Sequence, residues 1–165
     1  MELTAVAPRR TPLLRTTLRI AGLGTYVPEH RITNEELSVM VDTDDEWIRR
    51  RTGIRERRKA RADEFTSDMC LSAVGALVAG GASLAAVDYI IAATITPDYQ
   101  FPSVSAIVQH RLGLRNTGAI DISAACAGFV YALDLADALI SAGITEGGLN
   151  VRCRHVDERM GRCVS

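Results

Sequence analysis

Apolar residues return at helical spacing between Thr66 and Ala79, where Cys70, Val74, Leu77 and Val78 fall on one face. Gly80-Gly81 ends that helix. Upstream, Thr33-Asn34-Glu35-Glu36 has capping-box form, with Thr at the N-cap and Glu three residues later. It predicts a short helix through Met40. Asp44-Asp45-Glu46 places acids in the first turn of a second short helix, where the macrodipole favours them, and Gly53 closes it. Asp88 to Thr94 is a short apolar run without alternation, as in a strand buried on both faces. Ser103 to Leu112 predicts a helix ended by Gly113, and Gly118 to Ser123 another strand. The longest helix is expected over roughly Cys126 to Ala142, with Phe129, Leu133, Ala136, Leu139 and Ile140 at helical spacing and Gly143 as its stop. Leu18 to Gly24 reads as a first strand that breaks into a loop holding His30. Leu149-Asn150-Val151 reads as the start of a further buried strand.

This order of strands and helices predicts an α/β fold with a central, mostly parallel sheet and helices on both faces. No internal repeat is visible. Residues 1–17 are polar, carry Arg9, Arg10 and Arg15 beside Pro8 and Pro12, and lack the apolar stretch of a secretory signal. They are expected to form a mobile extension. Residues 18–150 form the expected folded body. From 151 onward the pattern stops: Arg152, Arg154, His155, Asp157, Glu158, Arg159 and Arg162 bring a charge density that a strand buried on both faces cannot hold unpaired. Residues 151–165 are expected to form an aberrant charged tail.

Composition narrows the partners. The 165 residues carry 19 basic and 20 acidic groups, a formal charge of −1, with 47% apolar content. That balance gives no overall reason to expect nucleic acid or an anionic membrane. No apolar run approaches the ~18 residues of a membrane span. Cys70, Cys126, Cys153 and Cys163 show neither CxxC pairing nor zinc spacing, so no metal site is expected, and free thiols in a reducing cytosol are the simplest reading. Of the 19 basic residues only Lys59 is lysine. With 22 alanines, this bias points to GC-rich coding DNA.

The segment Asp121-Ile122-Ser123-Ala124-Ala125-Cys126-Ala127-Gly128-Phe129 carries the clearest chemistry. It sets a cysteine at a strand-to-helix junction, where first-turn N–H groups and the helix dipole favour an anion, as a thiolate nucleophile requires. Small neighbours leave room for substrate, and a backbone N–H there can serve as an oxyanion donor. A small core thiol is the competing reading. Gly22-x-Gly24 is not a dinucleotide-binding loop, because Val27 occupies its third glycine position and no helix opens there. Between Arg49 and Arg61, eight of thirteen residues are basic: Arg49, Arg50, Arg51, Arg55, Arg57, Arg58, Lys59 and Arg61. They read as a solvated segment or as an anion-docking patch. The absence of interleaved aromatics argues against nucleic acid.

Three segments resemble motifs of the β-ketoacyl-acyl-carrier-protein synthase III family, in its order and spacing, across residues 18–150. They are Val41-Asp42-Thr43-Asp44-Asp45-Glu46-Trp47-Ile48 with Arg51-Thr52-Gly53-Ile54-Arg55-Glu56-Arg57; Thr96-Pro97-Asp98-Tyr99 with Phe101-Pro102-Ser103; and Ser123 to Phe129. The resemblance implies the N-terminal half of a thiolase-like fold. It implies that Cys126 takes an acyl group from acyl-coenzyme A as a thioester. A malonyl-acyl-carrier protein is then decarboxylated and its carbanion attacks that thioester, two easier steps in place of one hard one. Trp47 and Arg51 match positions that hold the nucleotide end of coenzyme A, which suits an indole face and a guanidinium. Thr43 matches a further nucleotide contact. Phe101 matches a residue that reaches across a homodimer interface toward the partner's acyl pocket. Acyl-coenzyme A is implied as substrate, with no separate cofactor.

The family completes its site with a His and an Asn from its C-terminal half, the His in a His-Gln-Ala-Asn motif that this sequence lacks. His30, His110 and His155 match neither position. Without those donors the enolate formed on decarboxylation is unsupported, so condensation is expected to fail. A frameshift near residues 150–152 or a fragment of a damaged gene is expected, since shifted frames in GC-rich DNA stay open and encode Arg often; a genuine short form is the alternative. A half-fold is expected to leave an apolar face exposed and to associate. Two rival functions remain at this point. One is a related thiolase-fold acyltransferase of polyketide or secondary metabolism. The other is an inert chain that at most binds coenzyme A or a full-length partner.

Overall fold

The structure is a computed structural model that describes residues 19–152. Two units are built in succession. The first comprises β1 (His30–Thr33), α1 (Asn34–Met40), α2 (Asp45–Thr52) and β2 (Glu56–Lys59). The second runs α3 (Thr66–Ala79), β3 (Tyr89–Ala93), α4 (Val104–Arg111), β4 (Gly118–Ile122), α5 (Gly128–Ser141) and β5 (Gly148–Arg152).

Local chemistry explains most boundaries. Thr33 Oγ1 accepts from Glu36 N–H at 3.2 Å while Glu36 Oε2 accepts from Thr33 N–H at 2.7 Å, closing the expected capping box. Asp44 Oδ1 accepts from Trp47 N–H at 2.6 Å and starts α2. Gly53, at φ +73°, ends it by donating to Arg49 O at 2.9 Å. Ser103 Oγ accepts from Ala106 N–H at the start of α4. Gly113 and Gly143 take positive φ just past α4 and α5.

The second unit holds a three-stranded, all-parallel sheet in the order β4-β3-β5, with Tyr89 opposite Gly118 on one side and Gly148 on the other. The chain steps outward from β3 to β4, then back across β3 to β5. With both crossovers right-handed, α4 and α5 must lie on opposite faces. The core agrees. Ile90 and Ala92 pack with Cys70 and Val74 of α3 and Val104 and Val108 of α4. Ile91 and Ala93, pointing the other way, pack with Ala132 and Ala136 of α5. Ile90, Ile91, Val104 and Val108 are fully buried, each worth about 1.5–3 kcal/mol relative to exposure. Helices on both faces of a parallel sheet is the expected architecture.

Several expectations change. Residues 19–24 form no strand; the backbone instead crosses α3 so closely that a Cβ on Gly24 would sit 2.2 Å from Ala73 O. The apolar side chains that suggested a strand point outward, Ile20 at 70% exposure and Leu23 at 82%. His30 is not in a loop but opens β1, which pairs antiparallel with β2 from His30–Lys59 to Thr33–Glu56. The charged run Glu56-Arg57-Arg58-Lys59 gave no strand signal because its partner lies about 26 positions back in the chain. Val78 is exposed rather than on the core face of α3. The helix expected from Cys126 begins at Gly128, preceded by a 3-10 turn over Ala125–Ala127, and equals α3 at 14 residues. The ladder of β5 continues through Arg152, which pairs with Ala93, so the strand passes the expected boundary at 150. The N-terminal extension and residues 153–165, with Cys153, His155 and Cys163, lie outside the described residues. Apolar side chains do stand exposed, among them Ile120 on β4 and Val130 and Tyr131 on α5.

Candidate functional site

Because α4 and α5 leave adjacent strands toward opposite faces, the loops after β3 and β4 part over the C-terminal edge of the sheet. Such a switch point forms a crevice where α/β proteins bind ligands. Cys126 stands in the loop after β4, and Phe101 in the loop after β3.

The turn that presents Cys126 is tight. Ala125 takes φ +44°, a left-handed conformation that costs an alanine roughly 1–2 kcal/mol. Ala127 N–H then donates to Ala124 O at 3.0 Å, closing the 3-10 turn that carries the sulfur. Directly after it, Gly128 is buried, and a Cβ there would lie 3.4 Å from the Ala93 Cβ. That glycine lets α5 seat closely on the end of β3. The result is an exposed, free thiol held at the amino-terminal approach to a 14-residue helix.

Carboxylates brace the surroundings. Asp121, one residue short of the end of β4, accepts from Val104 N–H at 2.8 Å and Ser105 N–H at 2.9 Å, so the strand before Cys126 caps α4. Asp98 accepts from Ser67 N–H at 2.9 Å, and the Thr66 hydroxyl donates to Thr96 O at 2.6 Å, tying the loop after β3 to α3. From that anchored loop Phe101 projects almost entirely into solvent, at 89% exposure. Asp88 holds the turn into β5 through the Thr145 hydroxyl and the Glu146 and Gly147 N–H groups. Burial would push its carboxyl up, but these bonds outweigh it and hold Asp88 below the usual range.

The second group of expected site residues sits on the first unit. Trp47 and Arg51 are four apart on α2 and share a face. The indole is 50% exposed while neighbouring Ile48 is buried. Thr43 lies just before the Asp44 cap, and its Oγ1 is buried with no hydrogen-bond partner among the described residues. Fully buried Asn34 donates to Asp45 Oδ1 at 2.7 Å and to Ile54 O at 2.9 Å, and accepts from Arg57 at 2.7 Å. The Asn34 bond, followed by Arg49, holds the Asp45 carboxyl below its ordinary value against a smaller effect of burial. On the other flank of α2, Asp45, Glu46, Arg49, Arg50, Gly53 and Arg55 line an open surface cavity of about 530 Å³.

The basic stretch divides. Arg57 and Arg58 serve the fold, bonding Asn34 and Pro28 O, and Arg61 pairs with Asp63 at 3.3 Å. Arg49 pairs with Asp45 at 3.3 Å. Arg50 and Arg51 enter no ion pair among the described residues. Thr43, Trp47 and Arg51 are thus gathered around one helix, whereas Cys126 and Phe101 belong to the sheet edge. Sequence reading missed Asn34 and Asp121. A charge inside the apolar run Gly118–Ile122 signals a partner, since an acid there needs one. Nothing local marks Asn34 as buried.

Residues 120–156, which include Cys126, match the family model for 3-oxoacyl-[acyl-carrier-protein (ACP)] synthase III. Beta-ketoacyl-[acyl-carrier-protein] synthase III 2 of Halalkalibacterium halodurans is 56% identical over 127 residues, covering 76% of this chain and 38% of that protein. The crystal structure of beta-ketoacyl-[acyl carrier protein] synthase III from Thermus thermophilus superposes with a TM-score of 0.78 at 46% identity, over 82% of this chain and 42% of that one. The priming β-ketosynthase of the R1128 polyketide biosynthetic pathway superposes at 0.77 with 36% identity, over 83% of this chain and 41% of that one. The chain therefore spans about two fifths of the length of the relatives it matches. By sequence and by its partial thiolase-like α/β fold, the chain is a relative of the β-ketoacyl-acyl-carrier-protein synthase III condensing enzymes, corresponding to part of their length.

Proposed function

We propose that this chain carries out the first half of the family's reaction, capture of an acyl group from acyl-coenzyme A on Cys126. The observation that carries the reading is the placement of Cys126: an exposed thiol on a left-handed turn at the switch point of the sheet. The thiolate attacks the thioester carbonyl and the bond to the coenzyme A sulfur breaks. The acyl group then rests on Cys126 while coenzyme A leaves and takes up a proton. Backbone N–H groups at the start of α5 face the oxygen that becomes negative. Trp47 stacks the adenine and Arg51 pairs with phosphate, with Thr43 a further nucleotide contact just ahead of the α2 cap.

In the full reaction a malonyl-acyl-carrier protein supplies the carbanion and releases carbon dioxide, initiating fatty-acid synthesis. Phe101 projects toward the acyl pocket of a partner subunit in a homodimer. The 165 residues contain no His-Gln-Ala-Asn motif, whose donors would stabilise the enolate, and the step proposed for them is the acyl capture. The reaction belongs in the cytosol, where the exposed Cys126 stays reduced. No helix among the described residues is long and apolar enough to cross a membrane. Likeness to a polyketide priming ketosynthase supports a second reading, the same capture step serving secondary metabolism.

Incubation with acetyl-coenzyme A followed by peptide mass spectrometry tests the proposal. The expected result is an acetyl group on the Cys126 peptide that is lost in Cys126→Ser. An unmodified Cys126 leaves an inert chain as the answer.

A further inference from the structure

We propose that Asn34 is a positioning residue for coenzyme A binding, bracketing α2 at both ends so that Trp47 and Arg51 present a fixed face. This rests on the reading that Trp47 and Arg51 hold the nucleotide.

The argument begins with where one side chain reaches. Asn34 opens α1 and is fully buried. One amide hydrogen goes to Asp45, the first residue of α2, and the other to Ile54 O, just beyond the Gly53 stop. A single NH2 group therefore touches both the entrance and the exit of the helix. Its oxygen accepts from Arg57 on β2, which anchors the bracket to the β1–β2 ribbon. Both donors and the acceptor are occupied, so the side chain has one orientation. Asp45 is further tied to Arg49 on the same helix.

The bracketed segment is short, 8 residues, and buries only Ile48. A helix of that length is marginal by itself. Its position depends on its end contacts, and two of these run through Asn34. Loss of the bracket leaves α2 free to shift along its axis and about it, carrying Trp47 and Arg51 off the nucleotide.

The charged groups around Asn34 are Asp45 and Arg49 on α2, Arg55 in the following turn and Arg57 on β2. They make Asn34→Asp informative. The introduced carboxylate faces the Asp45 carboxylate in place of a donor, and this repulsion raises its pKa although Arg57 moderates the rise. Once protonated, the introduced carboxyl donates to Asp45 and restores one arm of the bracket. Asn34→Ala has no such recovery.

Trp47 is the only tryptophan of the chain, so its emission reports α2 alone. The experiment uses the whole 165-residue chain. Time-resolved anisotropy of Trp47 measures helix mobility without ligand, titration with coenzyme A followed by Trp47 emission measures affinity, and far-UV circular dichroism monitors the fold. In Asn34→Ala, Trp47 is expected to gain local motion and coenzyme A affinity to fall about tenfold. In Asn34→Asp, both changes are expected at about pH 7.5 and reversal at about pH 5.5. Unchanged Trp47 motion in both variants overturns the proposal, as does an Asn34→Asp variant that stays loose on acidification. If the parent does not respond to coenzyme A while the variants still loosen Trp47 with acid reversal, the bracket stands and the nucleotide reading falls.

Discussion

Asp121→Ala removes the carboxylate through which the strand before Cys126 caps α4. Its two oxygens accept from Val104 and Ser105 N–H at 2.8 and 2.9 Å, and both residues are fully buried. Each N–H loses a charged partner worth roughly 1.5–3 kcal/mol and gains little water in return. The losses are not additive, and Ser103 Oγ still takes Ala106 N–H. Typical cap deletions cost about 0.5–2 kcal/mol. Together these bound the effect at about 2–3 kcal/mol, which with a urea slope near 1.5 kcal/mol per M lowers the midpoint by about 1.3–2 M. Asp121→Asn keeps one acceptor and loses about half as much. Urea unfolding followed by far-UV circular dichroism, with slopes compared, measures both. A midpoint for Asp121→Ala within about 0.3 M of the parent would falsify the cap assignment.

Three further outcomes are expected. Gly24→Ala forces a Cβ to 2.2 Å from Ala73 O and 2.6 Å from Leu77 and destabilises by about 2 kcal/mol, whereas Gly75→Ala meets open space inside α3 and stabilises by about 0.5–1 kcal/mol; thermal melts that rank the pair the other way refute the packing. Ala125→Gly relieves the left-handed turn before Cys126 and is neutral to stabilising by about 1 kcal/mol in the same melts, and a clear loss there would deny the strain. Asp88 has its carboxyl held low in the folded state, so its contribution is present above the unfolded pKa of about 3.9 and is lost as pH falls through the folded value. Asp88→Asn should flatten the acid side of the stability–pH curve, and parallel curves for the two proteins would count against the linkage.

What could be read from the chain without its structure was whatever is written locally. The Thr33 capping box, the Asp44 and Gly53 ends of α2, the Ser103 cap and the unbroken apolar run of β3 are each decided by residues within a turn of one another. Features set by distant partners were hidden. Glu56-Arg57-Arg58-Lys59 becomes a strand only because His30–Thr33 lies beside it. Ile20 and Leu23 look like strand residues, yet their backbone is drawn across α3 by two glycines. At the site, Cys126 was legible because small residues and a strand-to-helix change surround it. The brace from Asp121 was visible only as a misplaced charge, and Asn34 not at all, since its importance comes from three groups 11 to 23 positions away.

The central strand β3 has a neighbour on each side and buries Ile90, Ile91, Ala92 and Ala93 between two helical layers. Its amides meet solvent when the whole second unit opens, so they are expected to set the slow limit of hydrogen exchange among the described residues. The β1–α1–α2–β2 unit shares none of that core, and its helices open at lower free energy. The α2 face and the turn that presents Cys126 thus run on separate clocks. The α2 face proposed for coenzyme A can open and close many times during one lifetime of the sheet that carries Cys126.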